Sequence, residues 1–182
     1  MRAVAGQSAL LVVDMINPME FPGAERLLRQ AVRMLPALAR LKQRLKARGV
    51  PTIYVNDNFT HWLSDFRELV AICSQPDARG APLAEAMAPE HDDYLVLKPK
   101  HSAFYATPLE VLLSQLGVGH VVVAGIAGDG CVLATAKDAH MRDFRVSVPA
   151  DCCASISRTR NDRALRLLRE AMQLDTPASR AL

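Results

Sequence analysis

Cys131 is placed where a cysteine can act as a nucleophile. An apolar run over residues 121–125 and a glycine-bearing segment over residues 126–130 precede it, and a helical pattern follows. Unpaired N–H groups and the positive dipole end at the start of a helix favour a thiolate, and the same N–H groups can bind an oxyanion. The sequence therefore favours covalent hydrolysis that begins with attack by the Cys131 sulfur.

Two further reactive side chains stand at the ends of apolar runs. Asp14 follows the run 9–13, and Lys98 follows the run 94–97. Because ligands bind beyond the carboxyl ends of parallel strands, we expect Asp14, Lys98 and Cys131 to meet at one edge of a sheet. The Lys98 ammonium would lower the pKa of the thiol, while Asp14 would accept its proton and later activate water.

Lys100 competes with Lys98 for the role of the amine, because it lies only two residues further along an extended segment. Lys98 is favoured because it directly ends the apolar run. The sequence thus predicts Lys98 in the site and Lys100 on the surface.

Strand and helix patterns alternate along the chain and predict the fold that positions these residues. Apolar strands are predicted over residues 9–13, 51–55, 94–97, 121–124 and 145–148, and helices over residues 24–48, 64–72, 107–116, 129–143 and 160–172. Pro36 is expected to kink or split the first helix. Continuous apolar strands joined by crossovers of this length indicate a mainly parallel sheet covered on both faces. We therefore expect an α/β protein, a Rossmann-like three-layer α/β/α sandwich, with residues 1–182 in one domain.

The composition excludes several other classes of protein. The 182 residues are 50% hydrophobic and 23% charged, as in an ordered globular domain, and the net charge of +3 is mild. No aromatic or glycine-rich recognition motif accompanies the basic residues, so we expect no nucleic-acid partner. The four cysteines form no CxxC pair, no signal peptide precedes the first strand, and no apolar run reaches the ~18 residues needed to span a bilayer. A cytoplasmic location without membrane attachment is the expectation.

Four motifs resemble the isochorismatase-like cysteine hydrolases, a family that includes nicotinamidases and N-carbamoylsarcosine amidase. They are LVVDM at 11–15, LKPKHSAF at 97–104, GIAGDGCV at 125–132 and DAHMRDF at 138–144, and the resemblance extends over residues 8–154. It implies the isochorismatase-like fold and a triad of Cys131, Asp14 and Lys98. It also implies a cis peptide bond before Ala127 and an oxyanion hole formed by the backbone N–H groups of Ala127 and Cys131. A small-molecule substrate and a homodimer or higher homo-oligomer are further implications.

The chain departs from that family at two places. Family amidases commonly have threonine where this chain has Gly128, and the adjacent Asp129 is then expected to cap the following helix. Nicotinamidases generally bind a metal through one aspartate and two histidines after the second strand. Asp57 and His61 are present here, but the next histidine is His91, so the set is incomplete. We therefore expect no metal and no other cofactor, which weakens the nicotinamidase interpretation.

Several side chains near strand ends are candidates for the wall of a substrate pocket. Aromatic residues are scarce in this chain, at 5%, yet they recur in the segments that follow strands. The predicted pocket residues are Phe21, Phe59, Trp62 and Phe104. His101 is a candidate for the edge of the pocket because it lies close to Lys98.

Three functions remain open from the sequence. The first is hydrolysis of a small amide or related C–N bond through a thioester. The second is isochorismate-type vinyl-ether hydrolysis, which protonates its substrate and needs no thiol. The third is a non-catalytic binding or scaffold protein, which Gly128 and the incomplete metal set permit. The combination of acid, amine and thiol favours the first.

Overall fold

The computed structural model of the protein describes residues 7–58 and 65–182. Its strands are β1 (Gln7–Val13), β2 (Thr52–Asp57), β3 (Tyr94–Lys98), β4 (Val118–Ile126), β5 (Arg145–Ser147) and β6 (Cys153–Ala154). Its helices are α1 (Ala24–Ala47), α2 (Phe66–Cys73), α3 (Ala81–Ala86), α4 (Leu109–Gln115), α5 (Cys131–Met141) and α6 (Arg158–Ala171), with short 3-10 helices at Ala150–Cys152 and Ser179–Ala181. Within these ranges no helix combines the length and the apolar character needed to cross a membrane.

The strands form one parallel sheet in the order β3-β2-β1-β4-β5. The short strand β6 pairs with the carboxyl end of β4, beyond the point where β5 stops. Every strand pairing between described residues is parallel. This order places β1 and β4 side by side in the middle of the sheet, where the ends of the two strands approach each other.

Helices cover both faces of the sheet, because alternate residues of the buried strands point to opposite sides. Leu10 and Val12 of β1 pack in one core with apolar residues of α1, α2 and α3. Leu11 and Val13 pack in a second core with apolar residues of α4, α5 and α6. The predicted three-layer α/β/α sandwich is confirmed.

Two local features differ from the expectation. Helix α1 continues through Pro36, so the alternative in which the proline splits the helix was wrong. Leu35 and Leu38 on either side of the proline are buried in the first core, and this packing holds the helix together where one backbone hydrogen bond is lost. Helix α3 was not predicted, because its Pro- and Gly-bearing neighbourhood favours a loop by local propensity.

Candidate active site

The three predicted reactive residues lie at the carboxyl edge of the sheet. Asp14 directly follows β1, Lys98 is the last residue of β3, and Cys131 is the first residue of α5, five residues after the end of β4. Asp14 has a φ of 52°, a left-handed conformation that aspartate tolerates and that ends the strand. The rule that ligands bind beyond strand ends therefore located all three side chains.

Lys98 connects the acid and the thiol. Its Nζ atom lies 3.0 Å from Oδ2 of Asp14 and 3.4 Å from Sγ of Cys131. The side chain of Lys98 is fully buried and that of Asp14 is 6% exposed, whereas Cys131 is partly exposed. Asp14 is also close enough to Cys131 for its charge to raise the pKa of the thiol. Lys98 thus contacts both the acid and the thiol, and of the three side chains that of Cys131 is the most exposed.

The length of the lysine side chain explains why Lys98 can reach Asp14. Strand β2 separates β3 from β1, and two strand spacings amount to about 10 Å. Lys98 pairs in register with Asp57 at the end of β2, and its chain extends past that residue toward β1. Lys100 is exposed, as predicted for the competing lysine.

Asp57 belongs to this cluster as well. Its backbone N–H donates to Oδ1 of Asp14 at 2.7 Å, and its carboxylate lies 3.6 Å from Nζ of Lys98. From the sequence, Asp57 was expected only as part of an incomplete metal set, because the predicted strand ended at residue 55 and β2 continues to Asp57. His61 lies outside the described residues, and no three metal-binding side chains cluster among the residues that are described.

Burial and the neighbouring charges set the protonation of the cluster. Burial and the charge of Asp14 raise the pKa of Cys131 to about 12, and the opposing effect of Lys98 is smaller. Burial also raises the pKa of Asp14, although Lys98 counteracts it. Burial lowers the pKa of Lys98, but the charges of Asp14, Cys131 and Asp57 outweigh it and leave this pKa raised. Lys98 lowers the pKa of the thiol, as expected, but burial and Asp14 outweigh it, so this pKa stays raised and the thiol lies beside a carboxylate that can take its proton.

The segment between β4 and α5 presents two backbone N–H groups near the sulfur. The peptide bond between Ile126 and Ala127 is cis, as the family resemblance implied. The N–H groups of Ala127 and Cys131 donate to no other group within residues 7–58 and 65–182. Gly125, with a φ of 119°, brings this segment close to β1, since a Cβ atom there would lie 2.2 Å from the carbonyl oxygen of Val13. The two free N–H groups are therefore available for an oxyanion.

Asp129 does not cap helix α5. Gly130 occupies the cap position and makes no side-chain hydrogen bond there. The Asp129 carboxylate instead forms an ion pair with Arg160 in the first turn of α6. The predicted cap was wrong because a basic partner distant in sequence binds this carboxylate.

A cavity of about 660 Å³ opens above the cluster. Asp14 and Cys131 are both part of its described wall. The other described residues of the wall are Asn17, Phe21, Leu27, Asp57, His101, Ile126, Ala127, Asp129, Gly130, Leu133, Ala134, Lys137, Ile156 and Arg160. Lys98 is not part of this described wall, so it acts from behind Asp14 and Cys131.

The predicted pocket aromatics differ in their positions. Phe21 lines the cavity, and His101 lies in its wall. Phe104 is 5% exposed and packs in the second core, with its ring centroid 5.8 Å from that of Phe144, so its assignment to the pocket was wrong. A position after a strand end does not distinguish an aromatic that faces the cavity from one that faces the core. Phe59 and Trp62 lie outside the described residues.

Comparison with known proteins agrees with this architecture. A family model described as the isochorismatase domain matches residues 8–177. The uncharacterized isochorismatase family protein YaaI of Bacillus subtilis (strain 168) is 40% identical over 164 residues, which cover 90% of each chain. The maleamate amidohydrolase of Pseudomonas putida is 33% identical over 152 residues, which cover 79% of this chain and 70% of that enzyme. The crystal structure of N-carbamoylsarcosine amidase from Thermoplasma acidophilum has a TM-score of 0.70 and 27% identity, covering 95% of this chain and 96% of that one. This protein is therefore a member of the isochorismatase family of hydrolases.

Proposed function

We propose that the protein hydrolyses the C–N bond of a small amide through a thioester on Cys131. The observation that carries the proposal is the contact of Lys98 Nζ with both Asp14, at 3.0 Å, and the Cys131 sulfur, at 3.4 Å, on the floor of a cavity. A thiol with an adjacent base, a fixed cation and free backbone donors has the parts required for acyl transfer.

In the first half of the reaction, Asp14 takes the thiol proton and the sulfur of Cys131 attacks the carbonyl carbon of the substrate. The negative charge that develops on the carbonyl oxygen is bound by the N–H groups of Ala127 and Cys131. Asp14 then gives its proton to the nitrogen, the C–N bond breaks, and ammonia or an amine leaves. The acyl group remains on sulfur as a thioester.

In the second half, Asp14 removes a proton from a water molecule that attacks the thioester carbonyl. The C–S bond breaks, the acid product is released, and Asp14 returns its proton to the sulfur. The raised pKa of Asp14 supports both steps, since a more basic carboxylate is a better proton acceptor. Lys98 stays protonated throughout, because its pKa is raised, and it stabilises the thiolate while that charge exists.

The substrate class that we propose is an amide or ureido compound that also carries a carboxylate. Maleamate and N-carbamoylsarcosine, after which two of the similar proteins are named, both have this form. Lys137 lies in the cavity wall six residues after Cys131, about 9 Å further along α5. Its ammonium makes no ion pair with another described residue, so it is available to an anionic substrate.

Replacing Lys137 by alanine is expected to raise KM for carboxylate-bearing amides about 5- to 10-fold and to leave kcat within about twofold. An ion pair between a lysine and a substrate carboxylate at an open cavity rim contributes about this much to substrate affinity. The ion pair is the same in the ground state and the transition state, so its loss changes KM and not kcat. KM for a neutral amide such as nicotinamide is expected to stay constant. The measurement is steady-state ammonia release from both kinds of substrate at two salt concentrations.

Lys100→Ala is the matched control, since Lys100 is an exposed lysine outside the described cavity wall. It removes the same charge from a position outside the cavity wall. Equal KM values for the Lys137→Ala and Lys100→Ala proteins on carboxylate-bearing amides would contradict the proposed contact.

A substrate panel tests the function as a whole. Maleamate, N-carbamoylsarcosine, nicotinamide and isochorismate are incubated with the protein, and ammonia, pyruvate and the mass of acid-quenched protein are recorded. The expected result is ammonia release together with an acyl adduct on Cys131. Pyruvate release from isochorismate at a rate unchanged in Cys131→Ala would favour vinyl-ether hydrolysis instead, and binding without any turnover or adduct would favour a non-catalytic protein.

A further inference from the structure

The turn over residues 127–130, which precedes Cys131, is anchored to the rest of the fold by the backbone N–H groups of its two middle residues. The N–H of Gly128 donates to the carbonyl oxygen of Ala154 at 2.7 Å, and the N–H of Asp129 donates to Oγ of Ser155 at 3.0 Å. These bonds anchor the middle of the turn to β6 and the residue after it. The N–H groups of Ala127 and Cys131, at its two ends, remain for the substrate oxygen.

Ser155 is in turn fixed by helix α6. Its hydroxyl donates to Oδ1 of Asn161 at 3.2 Å, and Nδ2 of Asn161 donates to the carbonyl oxygen of Cys153 at 3.2 Å. Ser155 is 1% exposed and Asn161 is 9% exposed, so water does not compete strongly for these bonds. Asn161 therefore fixes the Ser155 hydroxyl, which holds the turn directly, and ties it to β6.

Gly128 shows that Asn161 occupies the space of a missing side chain. A Cβ atom on Gly128 would lie 2.0 Å from Oδ1 of Asn161 and 3.1 Å from Oγ of Ser155. The φ of Gly128 lies outside the left-handed region, so its backbone does not itself require glycine. The contact with Asn161 excludes a larger residue at position 128. This contact explains why the chain has glycine where family amidases commonly have threonine.

We propose that Ser155 and Asn161 are positioning residues for the nucleophile turn, and that they direct the N–H groups of Ala127 and Cys131 toward one substrate oxygen. Neither residue is part of the described wall of the active-site cavity, so both act through the turn and not on the substrate. The inference rests on the proposed function for its catalytic consequence, whereas the contact between Asn161 and Gly128 stands independently of it.

Kinetics of Ser155→Ala test the catalytic consequence. With its acceptor removed, the Asp129 N–H no longer anchors the turn, and we expect kcat per active site to fall about 10- to 100-fold with KM changed less than about twofold. Inhibition by a substrate-derived aldehyde, which adds to the Cys131 sulfur and presents an oxyanion, is expected to weaken by a similar factor. A merely structural role would lower the amount of active protein and leave kcat per active site and the aldehyde affinity unchanged.

Ser147→Ala is the matched control. Ser147 is also buried, and its hydroxyl bonds to Nε2 of His120, near the start of β4, at 3.0 Å. It loses the same hydroxyl away from the turn and is expected to keep the wild-type kcat. Equal kcat and equal aldehyde affinity in the Ser155→Ala and Ser147→Ala proteins would overturn the proposal.

A double-mutant cycle tests the contact without any need for turnover. Gly128→Ala is expected to lower Tm by several degrees in the wild-type background and by less than half as much in the Asn161→Ala background, because the colliding oxygen is then absent. Additive shifts would overturn the placement of Asn161. If the wild type cleaves nothing in the substrate panel, the proposed function fails by itself, and the cycle still decides whether Asn161 holds the turn.

Discussion

Cys131→Ala is expected to lower kcat/KM for amide hydrolysis by about 10³- to 10⁶-fold, the range found when a covalent nucleophile is removed. The sulfur is the only group of the cluster that can carry the acyl intermediate, so without it the oxyanion donors and Asp14 support only direct attack by water. The change removes a partly exposed thiol at the start of α5, where alanine is a good helix former. The fold should therefore survive, and the loss should appear in kcat. Steady-state ammonia release and the mass of the quenched protein provide the measurement.

Cys73→Ala is the matched control for this experiment. Cys73 is a buried thiol at the end of α2, on the opposite face of the sheet from α5, and it packs in the first core. Replacing Cys73 removes packing contacts in the first core but no reactive group of the site. We therefore expect a lower Tm, wild-type kcat/KM and an unchanged acyl adduct on Cys131. An acyl adduct on any residue other than Cys131, or amide turnover in Cys131→Ala close to that of Cys73→Ala, would contradict the mechanism.

The central part of the site was predictable from the sequence because it depends on rules that act within single segments. A continuous apolar run predicts a buried parallel strand, and the residue that follows it lies at the carboxyl edge of the sheet. This reasoning placed Asp14 and Lys98 correctly although 84 positions separate them in the chain. The same reasoning did not place Asp57, because β2 continues two residues beyond the apolar run 51–55.

The remaining features depend on contacts between segments that no local pattern encodes. The pKa of Cys131 follows from how deeply the sulfur is buried and from the charge of the nearby Asp14, and neither is visible in the sequence. Phe104 faces the core because of how its segment packs on α5. Ser155 and Asn161 hold the nucleophile turn from a distant helix, and serine and asparagine in a polar stretch indicate only a turn or a cap.

Asp14→Asn and Lys98→Met are expected to abolish most turnover while moving the ionisation of Cys131 in opposite directions. The charge of Asp14 raises the pKa of the thiol and the charge of Lys98 lowers it. The pH at which iodoacetamide labels Cys131 should therefore fall in Asp14→Asn and rise in Lys98→Met, each by about one to three pH units for charges at this separation. Turnover should fall about 10²- to 10⁴-fold in both, because one lacks the proton acceptor and the other leaves that carboxylate buried without its cation.

The other three cysteines serve as an internal reference for this measurement. Cys73, Cys152 and Cys153 are buried, so a folded variant labels at Cys131, whereas an unfolded one labels at all four positions. Lys100→Met, which replaces an exposed lysine, should keep both the wild-type labelling profile and wild-type turnover. Labelling profiles that move in the same direction in Asp14→Asn and Lys98→Met would show that the sulfur does not respond to these two charges. The Asp14 carboxylate has two roles: it raises the pKa of the resting thiol, and it takes the thiol proton when a substrate is bound. Faster labelling at neutral pH together with lost turnover in Asp14→Asn would separate these two roles.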